Sequence, residues 1–189
     1  MSRLLVVLTF LLSGAAFAQD FDYNFVQASY GQFELDDVDV DGDGFGIGGS
    51  VAVSEHFHLF GGYSTGDFDF GVDMSELSAG LGYNAPLSDT VDLIASVAYV
   101  SVEVDVPGFG SADENGYGLG LGLRAMATPA VELNGGLSYV DLGDESDGDT
   151  SFGAGFLYHF SESFAAGASG NWGDDMSSYQ LNGRFSFGN

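Results

Sequence analysis

Residues 115–126 read NGYGLGLGLRAM. Tyr117, Leu119, Leu121, Leu123 and Ala125 share one parity, while Gly118, Gly120, Gly122 and Arg124 share the other. A two-residue period is that of a β-strand whose two faces meet different surroundings. Here one face is bulky and apolar and the other is nearly bare. Residues 91–99 repeat the pattern, with Val91, Leu93, Ala95, Val97 and Tyr99 against Asp92, Ser96 and Ala98. So do residues 131–139, with Val131, Leu133, Leu137 and Tyr139 against Glu132, Asn134, Gly136 and Ser138.

Working outward from these, ten such segments fill the chain: 23–33, 45–53, 56–64, 75–84, 91–102, 116–126, 131–141, 151–160, 164–172 and 177–187. Their connections alternate. Ser54-Glu55, Ala85–Thr90, Ala127–Ala130 and Ser161–Ser163 are short, whereas 34–44, 65–74, 103–115 and 141–150 are long, acidic loops; the fifth on that side, Gly173–Met176, is brief. An even number of alternating strands, with short turns at one end and long loops at the other, predicts an antiparallel up-and-down β-barrel that spans an outer membrane. Ten strands are expected, with eight as the alternative.

Two distributions support the membrane reading. On the apolar face, nearest the long loops, stand Tyr30, Phe45, Tyr63, Tyr99, Tyr117, Tyr139, Phe152, Trp172 and Tyr179; Phe57, Tyr83, Phe160, Phe164 and Phe187 form a looser ring at the other rim. Aromatic rings at two levels are what the two interfaces of a bilayer favour. The acids, 28 against only 3 basic residues for a net charge of −25, gather mostly in the long loops, and none lies on the apolar face. A soluble barrel would place its large apolar residues inside. Here the inward parity carries mostly Gly, Ser, Ala, Asn and Gln.

The composition excludes several functions. So acidic a chain has no basic surface for phosphates, which removes nucleic acid as a partner. Yet 45% of the 189 residues are hydrophobic and mean hydropathy is positive at +0.13, which is not the make-up of a disordered acidic chain. Without cysteine there is no disulfide, thiolate metal site or thiol nucleophile. The start, MSRLLVVLTFLLSGAAFA, has a basic Arg3, an apolar run too short to span a bilayer, and a small-residue end. It predicts a cleavable signal peptide over 1–18 and a barrel domain over 19–189, delivered to the bacterial outer membrane.

Segments YNFVQASYGQF (23–33), DGFGIGGSVAVSEHFHLFGGYS (43–64), LSAGLGYNAPLSDTVDL (77–93) and YQLNGRFSF (179–187) resemble the small outer-membrane β-barrel proteins described in xanthomonads, distantly similar to OmpX- and OmpA-type barrels. The resemblance covers nearly the whole mature chain. It implies an outer-membrane barrel of about ten strands and no catalytic residues. The last strand, with Phe185 and Phe187, is similar to the signal read by the barrel-assembly machinery, although Gly188-Asn189 follow it. No peptidoglycan-binding domain is expected after that strand.

Candidate chemistry is sparse. His56, His58 and His159 have inward parity near the short-turn rim, on strands that are not neighbours, and read as polar filling of the lumen rather than a metal site. No long loop contains a histidine, and no Gly-x-Ser-x-Gly motif is present, so no enzyme is expected. Arg124 and Glu132 fall roughly opposite each other across a hairpin, on the inward face, and are expected to form a lumen ion pair. Asp39, Asp41, Asp43 and Gly44 have the Asp-x-Asp-x-Asp-Gly spacing that opens a calcium loop, but Ser50 stands at the twelfth position, where the bidentate Glu belongs. The three aspartates are therefore expected to bind calcium or magnesium loosely, with no cofactor otherwise. Lipid and lipopolysaccharide are the expected surroundings. The expected function is a small non-enzymatic barrel serving envelope structure or surface interaction through its acidic loops, the alternative being a narrow, porin-like passive channel for water, ions or small polar solutes.

Overall fold

The computed structural model describes residues 21–35, 40–143, 148–174 and 176–188; the predicted signal peptide and Asp39 lie outside them. Ten antiparallel strands run in chain order: β1 Phe25–Leu35, β2 Val40–Ala52, β3 Phe57–Phe68, β4 Val72–Ser88, β5 Val91–Val106, β6 Gly110–Thr128, β7 Val131–Asp141, β8 Asp149–His159, β9 Phe164–Trp172 and β10 Met176–Ser186. Each pairs with its sequence neighbours, and β1 closes on β10 from Phe25↔Ser186 to Leu35↔Met176. Closure leaves no edge strand with unpaired backbone, which the hydrocarbon of a bilayer requires.

The lipid-facing reading of the middle of the strands holds. Leu119, Leu121 and Leu123 are exposed on the outside, as are Tyr30, Phe45, Tyr63, Tyr99, Tyr117, Phe152, Trp172 and Tyr179 in the ring above them. The lower ring of Phe57, Tyr83, Phe160, Phe164 and Phe187 is exposed as well.

The acidic loops require a correction. Strands run straight through most of them: 65–74 is broken only by a 3-10 turn at Asp69–Gly71, and 103–115 only by the turn between β5 and β6. The reason is that the two-residue period continues past the aromatic ring while its meaning reverses. In β5, Val100 and Val102 point in and are buried, whereas Glu103 and Asp105 point out. Beyond the bilayer the outer face meets water, so the ordinary rule of a soluble barrel returns. Phe33, Leu35, Phe68, Met74, Val100, Val102, Val140, Leu142 and Met176 form one apolar core inside this end of the cylinder. The barrel is inside-out between its aromatic rings and right-way-in above them.

Candidate functional site

The lumen near the short turns is occupied by side chains and by the segment that precedes β1. Phe21 and Tyr23 are buried there, ahead of Phe25. Asn24 helps to fix the entry of this segment: its Oδ1 accepts from Ala52 N at 3.0 Å and its carbonyl from Phe187 N at 2.9 Å. The Arg124 guanidinium carbon lies 4.5 Å from the Phe21 ring centroid and 4.7 Å from that of Tyr23. The Tyr23 ring stacks on His58 at 4.5 Å, and its hydroxyl donates to Asp92 Oδ2 at 2.8 Å. Gly82 on the neighbouring strand makes room for that histidine, since a Cβ there would collide with the imidazole. The sequence pattern placed Tyr23 in the first strand, 23–33, whereas β1 begins at Phe25 and the residues before it turn into the lumen.

The structure brings Arg124 and Glu132 together. Arg124 Nε donates to Glu132 Oε1 at 3.1 Å, with the two side chains 1% and 0% exposed. They are not direct register partners. Arg124 pairs with Asn134, and Glu132 with Met126, so the long arginine reaches diagonally along one face next to the irregularity at Met126/Thr128. The other carboxylate oxygen of Glu132 lies 3.5 Å from His159 Nε2. Arg184 is equally enclosed: its Nε and Nη2 both donate to Gln27 Oε1, the former at 3.1 Å, and its guanidinium sits 4.2 Å from the Phe25 ring. Gln27 Nε2 donates in turn to Asn182 Oδ1 at 3.3 Å. Two buried cations are thus set among Asp92, Glu132 and three aromatic rings, an arrangement that lowers the cost of desolvating them.

Between this network and the apolar core lies a cavity of about 120 Å³, bounded by Arg124 and His58 below, by Val100 and Val140 above, and by Ser96, Asn134 and Ser138 around it. It is polar enough on one side and large enough to hold water.

The outer face carries the acids. Register places Asp43 opposite Asp67, Asp67 opposite Asp73, and Asp73 opposite Asp105, so four aspartates form one row across β2 to β5. Glu34 opposite Asp41 and Glu103 opposite Asp113 add to it. Like charges directly opposed in a sheet repel. Accordingly, the hydrogen bond with Asp73, together with partial desolvation and the Asp73 and Asp43 charges, holds the Asp67 carboxyl above its ordinary range. Asp41 and Asp43 stand on this row's face within an extended strand, not on a loop folded round an ion. Among the described residues, no three His, Cys, Asp or Glu side chains are grouped to hold a metal ion.

Residues 4–160 match the profile described as the outer membrane protein beta-barrel domain. No curated protein matches in sequence. Among solved structures, the beta domain of the Bordetella autotransporter Brka shares 12% identity over 86% of this chain and 98% of its own, with a TM-score of 0.51. Neisserial surface protein A shares 16% identity over 86% and 96% of the two chains, with a TM-score of 0.45. The KdgM porin in complex with disordered oligogalacturonate shares 11% identity over 87% and 99%, with a TM-score of 0.47. At such identities the likeness is one of fold.

Proposed function

Since the chain belongs to the outer membrane protein beta-barrel domain family and is an outer-membrane barrel, we propose that it is a closed, non-enzymatic surface protein serving envelope structure or surface interaction. Residues 1–18 are its export signal, and its acidic hairpins project outside the cell. The observation that carries this reading is that buried side chains fill both ends of the lumen, Phe21, Tyr23 and the Arg124–Glu132 pair at the short-turn end and the apolar core around Phe33 and Phe68 at the other, an arrangement that fits a closed barrel. Planar-bilayer recording on the purified barrel tests it. A silent bilayer is expected, and reproducible openings would sink it. The cavity between the two closures favours the second reading, a narrow passive channel for water, ions or small polar solutes, which requires both ends to part.

The same reading makes the aspartate row, with Asp41 and Asp43 at one side of it, a weak site for calcium or magnesium; Asp39, expected from its spacing to share that site, lies outside the described residues. Divalent cations would offset the opposed charges and bridge them to lipopolysaccharide phosphates. Calcium is expected to raise the thermal unfolding temperature and chelator to lower it, with both effects lost in Asp67→Asn/Asp73→Asn. Protons should act in the same direction. Asp67 holds its proton more tightly folded than unfolded, so the fold gains stability as pH falls through that raised pKa and loses it as pH rises. The gain should appear just above the ordinary carboxylate range and vanish in Asp67→Asn. Unfolding curves indifferent to both calcium and mild acid would remove the cation role.

A further inference from the structure

Two neighbouring hairpin tips carry phenyl rings that the barrel does not use. Phe70, in the tip between β3 and β4, is 85% exposed and adopts φ 64, ψ 11, a left-handed conformation uncommon and strained for such a residue. Phe109, in the tip between β5 and β6, is 91% exposed. A turn presents it: Phe109 N donates to Val106 O at 2.9 Å, with Pro107 and then Gly108 at φ 82 in the central positions, the pattern of a type II turn. The two hairpins share the β4–β5 seam, and a Cβ on Gly71 would lie only 3.4 Å from Pro107 Cγ, so the tips adjoin. In the register row just below, Asp67, Asp73 and Asp105 face outward. Neither phenylalanine belongs to the apolar core. Single exposed apolar residues are ordinary, but adjoining ones rimmed by polar groups point to an interaction surface.

We propose that Phe70 and Phe109, set over Asp67, Asp73 and Asp105, form a docking surface for a cationic protein segment that carries arginine beside apolar side chains. This rests on the surface-interaction reading above and names the partner's chemistry. A guanidinium suits both parts of the surface, since it stacks on a phenyl face and donates in pairs to carboxylates. In the absence of bridging divalent cations, charge opposes the other occupants. A second copy brings another net −25, and phosphate-bearing lipid head groups share that sign.

The test uses the full barrel in zwitterionic lipid nanodiscs and two labelled peptides of equal charge, one of arginine and leucine, the other of arginine, glycine and serine. The arginine–leucine peptide is expected to bind more tightly, with affinity that falls as salt rises. Phe70→Gly/Phe109→Ser should weaken it by at least about tenfold without loss of thermal stability, because glycine takes a positive φ readily. Asp67→Asn/Asp73→Asn/Asp105→Asn should flatten the salt dependence. Docking is overturned if the phenyl variant binds unchanged, if binding does not exceed that of empty nanodiscs, or if the barrel instead forms dimers that the phenyl variant abolishes. Planar-bilayer conductance of the same purified barrel separates the two proposals. A silent barrel without peptide binding overturns docking alone, whereas a conducting barrel that binds overturns closure and supports docking.

Discussion

Glu132→Ala is expected to lower the stability of the barrel by about 3–5 kcal/mol, read as a shift in the urea midpoint of folding in lipid. Glu132 is wholly buried and accepts the Nε–H of Arg124, itself 1% exposed. Removing the carboxylate leaves a guanidinium in the lumen with its hydrogen bond lost and its charge uncompensated nearby. Asp92 is the register partner of Arg124, but its Oδ2 already holds the Tyr23 hydroxyl. Replacing both members, Arg124→Met with Glu132→Leu, should cost much less, since a buried pair exchanged for apolar groups of similar volume is often near neutral. A single variant as stable as the double one would show that Asp92 takes over the pairing.

Phe33→Ala is expected to cost about 3–5 kcal/mol, the range for deleting a buried aromatic ring. Phe33 is 2% exposed in the apolar core and packs against Phe68 with ring centroids 5.9 Å apart. Because this core lies above the outer aromatic ring, its loss should loosen the projecting hairpins before the membrane-embedded strands. Limited proteolysis is then expected to cut within 65–75 and 103–113 while the rest of the chain stays protected. Equal resistance of variant and parent would mean that the projecting end is held by backbone pairing alone.

Much of the body was legible in the sequence, and for a physical reason. Hydrocarbon tolerates neither unpaired backbone nor charge, so Leu119, Leu121 and Leu123 had to alternate with the inward glycines, and the interfaces had to collect Tyr and Trp. The Arg124–Glu132 contact was legible because the chain has only 3 basic residues and a long side chain tolerates a register error of one rung. The strands through 65–74 and 103–115 were not legible as strands because acidic residues mark a water-facing surface whether or not the backbone beneath it is paired. The alternation of Val102, Val104 and Val106 with Glu103 and Asp105 was already there, with its two faces exchanged. Phe21 and Tyr23 continue the inward parity of Phe25, Gln27 and Ser29, but parity tells only which face a residue takes, not that the segment leaves the sheet and enters the lumen.

The sequence by itself determined the ten-stranded barrel, its lipid-facing surface and the end on which its charge collects, because these follow from patterns two residues apart and from the solvent each face meets. Only the tertiary structure decided what fills the lumen and what is displayed. Asp43, Asp67, Asp73 and Asp105 become one row, and the hairpin tips bearing Phe70 and Phe109 come side by side, through the register of four consecutive strands. Phe21 reaches Arg124 only because closure of the barrel gives the leading segment a lumen to enter. Register and closure are set by the whole sheet at once, and no local window of residues contains them.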